Sequence, residues 1–184
     1  MTDKQQILFV QGGGKGAHEK WDSKLVASLG HELGSNFEIH YPRMPHEEEP
    51  SYVRWREALQ KELGKLPAHA ILVGHSIGGT MLLKTLSEQP KAANVRALLL
   101  ISVPFVGEGG WPATEFEFPA DLGARLPNAP IHFFHGLADE TAPPAHVELY
   151  AHAIPRAHVH RLHGCDHQLN NDLSQVAAVI SEQL

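Results

Sequence analysis

The chain has 184 residues, a formal net charge of −6 with its histidines neutral, 42% hydrophobic and 20% charged residues, and one cysteine, Cys165. That length holds one domain with a real core and is short for two, and one cysteine excludes an internal disulfide framework. The acid excess, with Lys and Arg scattered along the chain, argues against nucleic acid or an anionic membrane surface as the main partner.

The first apolar run, "ILFV" (7–10), is too short for a signal peptide, and no run reaches the length of a transmembrane helix. A cytoplasmic protein without membrane insertion is expected, as one domain over residues 1–184. After the first run comes "QGGGKGAH" (11–18), and then Trp21, Leu25, Leu29 and Leu33 recur at helical spacing. "FEIHY" (37–41) reads as a second strand. The proline-bounded acidic run "RMPHEEEPSY" (43–52) reads as solvated surface, and Tyr52, Trp55, Leu59 and Leu63 mark the next helix.

"AILV" (70–73), "ALLLIS" (97–102), "IHFFH" (131–135) and "HVHRL" (158–162) complete six strands, several almost continuously apolar, as strands buried on both faces are. Helical patterns follow the third strand (Met81, Leu82, Thr85, Leu86), the fifth (Val147, Tyr150, Ile154) and the sixth (Leu173, Val176, Ala177, Ile180). The alternation predicts an α/β three-layer sandwich, a mostly parallel sheet with helices on both faces. One segment breaks the rhythm: 103–127, rich in Gly and Pro and carrying Trp111, Phe116 and Phe118. It is either a functional loop covering a pocket or a short helix with a packed connection. Its three aromatic residues are candidates for a pocket wall.

Gly74-His75-Ser76-Ile77-Gly78 matches G-x-S-x-G, with a strand before it and a helix after it. A serine hydroxyl needs a histidine to take its proton and an acid to orient that histidine. Asp139 follows the fifth strand and His167 the sixth, so all three stand at the carboxyl ends of strands in the order Ser, Asp, His. His75 reads as a side chain packed beneath the turn, Cys165 as a small buried filler, and Asp166 as badly placed to reach its neighbour's ring.

"VGHSIGG", "HGLADETAPP" and "HGCDHQLNND" together resemble the catalytic loops of the α/β-hydrolase superfamily. The likeness runs from the first strand to the last helix, and the size is similar to compact members without a cap domain. In layout the chain resembles the retinoblastoma-binding-protein-9-like serine hydrolases. The resemblance implies Ser76 as nucleophile on an elbow, His167 as base and Asp139 as orienting acid. It also implies an oxyanion hole from the amide of Ile77 and the Gly12–Gly14 loop, with the second donor near Gly13. Gln11 stands where many relatives carry a histidine, which leaves that donor open. The implied activity is cleavage of a carboxylic ester or related acyl bond through an acyl-enzyme, acting on a small acyl substrate with no cofactor and no metal.

Two rivals are set against this. Gly12-x-Gly14-x-x-Ala17 after a strand satisfies a loose dinucleotide fingerprint, as a nicotinamide oxidoreductase would. "KGAHEKW" is charged and glycine-broken where the phosphate-binding helix should begin, and "HYP" lacks an acid for a ribose hydroxyl. A non-catalytic binding module on the same fold is the other rival, against which all three catalytic residue types are present. His158, His160, His163 and His167 lack a ligating acid at zinc-like spacing. No residue separates ester from thioester, amide or peptide substrates.

Overall fold

The computed structural model describes residues 4–89, 94–112 and 115–183. Six strands form one sheet: β1 (Gln5–Val10), β2 (Phe37–His40), β3 (Ala70–His75), β4 (Val95–Ile101), β5 (Ile131–Gly136) and β6 (His158–Leu162). Their order is β2-β1-β3-β4-β5-β6, and every neighbouring pair is parallel. The expected six parallel strands are therefore present, with ends shifted by one or two residues.

Strand alternation divides the core in two. Leu8, Val10, Leu72, Leu98, Leu100 and Phe133 face α2 (Tyr52–Leu63), α3 (Ser76–Glu88) and α5 (Ala145–Ala153). Ile7, Phe9, Ile71, Val73, Leu99 and Phe134 face α1 (Ser23–Leu33) and α6 (Ser174–Glu182). Each helix turns its apolar stripe inward: Leu25, Leu29 and Leu33 on α1, and Trp55 and Leu59 on α2. A short α4 (Leu122–Arg125) precedes β5. No helix among the described residues is long and apolar enough to cross a membrane.

Trp21 departs from its expected place. The periodicity puts it on the buried stripe of the first helix, but the chain makes a π-helical turn over Ala17–Asp22 before α1 begins. That wider turn rotates the register, so Asp22 faces inward at 1% exposure and Trp21 is left 52% exposed. The acidic run is a second departure. Glu47 is buried, and its carboxylate takes the side-chain amide of Gln11 at 2.6 Å and the backbone amides of Gly16 and His18. Burial pushes this carboxyl upward, and those bonds with the nearby Arg43 charge outweigh it, for a net lowering.

The 103–127 segment folds back on itself. An isolated bridge joins Val106 to Trp111, and Gly107 N–H donates to the Trp111 carbonyl at 3.0 Å. Its base is anchored to the helices. The Pro104 carbonyl accepts from Thr80 Oγ1 and the Tyr150 hydroxyl, and Phe105 N–H donates to His146 Nδ1 at 2.8 Å.

Candidate active site

Ser76 follows β3 directly and opens α3, with φ +52°. A left-handed backbone at a non-glycine residue is strained and persists only when its surroundings fix it. Here two glycines permit the fit. A Cβ on Gly78 would stand 1.9 Å from the Gln11 carbonyl oxygen, and one on Gly74 would stand 2.6 Å from the Gly79 Cα. The turn lifts the hydroxyl to the amino end of α3, where partial positive charge and unpaired N–H groups accumulate.

Asp139 and His167 come from the loops after β5 and β6. Those loops pack tightly, since a Cβ on Gly136 would lie 2.2 Å from the Cys165 carbonyl oxygen. Ala138 N–H donates to that same oxygen at 3.0 Å. His167 Nε2 is 3.0 Å from Ser76 Oγ, and its Nδ1 is 2.8 Å from Asp139 Oδ2. The other carboxylate oxygen accepts the amides of Thr141 and Ala142, both at 2.9 Å. Burial pushes the Asp139 carboxyl up, but the His167 bond and charge and those two amides outweigh it, leaving the carboxyl below its ordinary range. An ionised Asp139 fixes the proton of His167 on Nδ1 and turns the Nε2 lone pair toward the serine.

Three residues 91 and 28 positions apart in sequence thus form one hydrogen-bonded line. Asp166 takes no part: its Oδ1 accepts the amides of Gln168 and Asn170 and so shapes the loop under His167. Cys165 is half-buried against the α1–α6 side of the core. His75, expected as a packed side chain, is buried beneath the turn, but both ring nitrogens are engaged. Nδ1 is 2.9 Å from Asp22 Oδ2, and Nε2 is 3.1 Å from the His167 carbonyl oxygen.

The glycine loop corrects one expectation. Gly12 N–H donates to Asp22 Oδ2 at 2.6 Å, so it is already engaged and is not available to an oxyanion. The Gly13 amide has no acceptor among the described residues, and the Ile77 amide lies in the first turn of α3, where no intrahelical partner exists. Those two are the donors on offer. A Cβ on Gly13 would meet Pro50 at 2.6 Å and Ile77 at 2.8 Å, so glycine is required for the close approach.

A cavity of about 800 Å³ opens over Ser76 and His167. Trp111 and Phe116 line it, as the sequence suggests, together with Trp21, Ile77 and Val106. Phe118 does not. Its ring packs on Phe105 at 5.8 Å and Tyr150 at 5.9 Å, because the segment turns inward there toward the core. Trp21, Asp22 and Glu47 are the site-building residues that the sequence reading missed. Trp21 falls on the helical period of Leu25, Leu29 and Leu33, and "EEE" reads as solvated charge. No signal in the sequence marks a π-turn.

The histidines of β5 and β6 form a separate cluster. His132 Nδ1 is 3.1 Å from His160 Nε2, and His158 stacks on His132 at 4.8 Å. Burial, then the charges of His158 and His160, push His132 down to about 4. Among the described residues, no group of three or more His, Cys, Asp or Glu side chains is arranged to hold a metal.

Comparison with known proteins places this geometry. No curated protein matches the sequence. Solved structures share the fold at low identity. The product of the ydeN gene from B. subtilis is 15% identical with a TM-score of 0.76, covering 98% of each chain. 2-Hydroxy-6-oxo-6-phenylhexa-2,4-dienoate hydrolase from Rhodococcus sp. strain RHA1 is 15% identical with a TM-score of 0.77, over 98% of this chain and 90% of its own. The esterase domain of a Rhodothermus marinus protein is 20% identical with a TM-score of 0.68, over 98% of this chain and 86% of its own. The fold is that of the α/β-hydrolases. The serine hydrolase family model matches residues 7–163, across both the Ser76 turn and the Asp139 loop, and the chain belongs to the serine hydrolase family.

Proposed function

We propose that this chain hydrolyses a carboxylic ester through an acyl-enzyme, with Ser76 as nucleophile, His167 as general base and acid, and Asp139 as orienting acid. The observation that carries the reading is the unbroken Ser76–His167–Asp139 line opening into an apolar cavity. His167 Nε2 takes the serine proton as Oγ attacks the carbonyl. The amides of Ile77 and Gly13 receive the developing oxyanion, and His167 then protonates the leaving alcohol. A water activated by the same imidazole releases the acid. Asp139 holds the tautomer and offsets the charge of the imidazolium throughout.

The cavity supports an uncharged acyl group. Among the described residues neither Lys nor Arg lines it, and its wall is dominated by Trp21, Trp111, Phe116, Ile77 and Val106. An acyl chain carrying a carboxylate or phosphate would be desolvated there without a Lys or Arg partner among the described residues. Trp111 and Phe116 make the 103–127 segment one wall of that pocket, within a single catalytic unit.

The test is labelling with a fluorophosphonate probe, beside hydrolysis of p-nitrophenyl esters of graded acyl length. Labelling and turnover by the native chain, lost in Ser76→Ala and His167→Ala, are expected. A folded native chain that neither labels nor turns over would sink the reading.

A further inference from the structure

Asp22 and His75 form a buried ionisable pair that the proposed reaction does not use. Their side chains are 1% and 2% exposed. The pair bridges three chain segments in one hydrogen-bonded sequence. Gly12 N–H of the glycine loop donates to Asp22 Oδ2, which faces His75 Nδ1, and His75 Nε2 faces the carbonyl oxygen of His167. His75 is also the residue immediately before Ser76.

The chemistry of the partners sets the protonation of the ring. A carbonyl oxygen only accepts, and so does an ionised carboxylate. A neutral imidazole has one N–H and satisfies only one of them. Both contacts are hydrogen bonds when His75 carries two protons and Asp22 is an anion. Gly12 N–H approaches the same Oδ2 at 2.6 Å, so that oxygen already serves as an acceptor. The ionisable groups facing His75 are Asp22 from the π-turn, Asp139 from the loop after β5 and the His167 ring, 5.0 Å away between centroids. Burial pulls the imidazole down, but the charge and bond of Asp22, the His167 carbonyl and the Asp139 charge carry it above its ordinary value.

We propose that His75 is a positioning residue, held doubly protonated by Asp22, which clamps the glycine loop and the His167 loop to the nucleophile turn. The clamp rests on the acyl-enzyme reading above. Asp139 orients the imidazole of His167 from its ring, and His75 holds the same residue from its backbone. Asp22 meanwhile takes the Gly12 amide, while the next one, Gly13, lies at the cavity without an acceptor among the described residues. Donor, nucleophile and base are so held at one spacing. When His75 loses a proton, one end of the clamp opens.

The experiment combines two measurements. Nitrogen-15 NMR of the wild-type imidazoles at neutral pH reads the ring directly, and two protonated nitrogens are expected for His75. Steady-state hydrolysis of a p-nitrophenyl ester against pH then compares wild type with Asp22→Asn and His75→Gln. The Asp22→Asn change keeps an oxygen acceptor of nearly the same shape and removes the charge that holds the second proton.

Asp22→Asn is expected to lower kcat by about 10–100-fold, the cost of sub-ångström misplacement, with KM changed by less than about twofold. Its alkaline fall in kcat/KM should begin at lower pH than in wild type. His75→Gln should lose a similar factor in kcat, with no alkaline fall from this group. A His75 ring with one protonated nitrogen overturns the clamp. So does an Asp22→Asn variant with unchanged kcat and an unmoved profile, in a wild type that turns over. A wild type without Ser76-dependent turnover overturns the acyl-enzyme reading instead, and the clamp falls with it.

Discussion

Two histidine–aspartate pairs stand at the carboxyl ends of the strands, and their first contacts are nearly the same. His167 Nδ1 is 2.8 Å from Asp139 Oδ2, and His75 Nδ1 is 2.9 Å from Asp22 Oδ2. They part at the other nitrogen. Nε2 of His167 faces a hydroxyl, which gives or takes a proton, on a side chain 15% exposed to the cavity. Nε2 of His75 faces a carbonyl, which only accepts, and the side chain is sealed at 2% exposure. The first ring faces a partner that can both give and accept a hydrogen bond; the second faces an acceptor only. A carboxylate beside an imidazole does not by itself make a base. What the far nitrogen meets decides between chemistry and support.

The comparison is broken most sharply at His167 and Ser76. Alanine at either should lower kcat by about 10⁴–10⁶-fold, and the double variant should be no worse than the poorer single one. Single-turnover kinetics on the four proteins would reveal multiplicative losses, which contradict a unit. Next are the two acids. Asp139→Asn should cost about 10⁴-fold in kcat because the tautomer is lost, well beyond Asp22→Asn in the same assay. Equal losses would erase the distinction between the pairs.

A third prediction separates them by stability. The folded His75 lies above the unfolded value, which is near 6.5, so its contribution is complete below that pH. It is lost as pH rises through the folded value. Asp139 has the opposite sign: its folded value lies below the unfolded value of 3.8, so its contribution is present above that pH and lost as pH falls through the folded value. Urea melts across pH should show Asp22→Asn flattening the alkaline side and Asp139→Asn flattening the acid side. The smallest effects lie outside both pairs. Trp111→Ala and Phe116→Ala should shift acyl-length preference by about tenfold. Phe118→Ala should instead leave preference alone and lower stability by about 2–3 kcal/mol, short of the range for a fully buried aromatic ring.

Much of this architecture is legible in the chain. "AILVGHS" announces a buried strand ending at a serine, because continuous apolar residues and flanking glycines have few other uses. The positions of Asp139 and His167 after strands five and six follow from alternation alone, since parallel strands put all such loops on one edge. The supporting residues are less legible. Trp21 is misassigned and Asp22 passes unmarked because a π-turn breaks the 3.6-residue period without any marker residue. Glu47 hides among identical neighbours, and only tertiary contact separates the buried one from Glu48 and Glu49. His75 is recognised as buried, but its partner lies 53 residues away. Gly12 and Gly13 look equivalent until the carboxylate that claims one of them is in place.

The strand order carries a further consequence. β3, which leads directly into Ser76, is buried along its whole length in the interior of the sheet. β6, which leads to His167, is the margin strand, and of its five residues only Leu162 is buried. Heat or mild denaturant acts first where few apolar contacts hold an element down. Fraying at that margin would withdraw one reacting partner while the other stays seated in an intact core. The molecule would fall silent while still folded by any bulk spectroscopic measure, and would recover on cooling without having to refold.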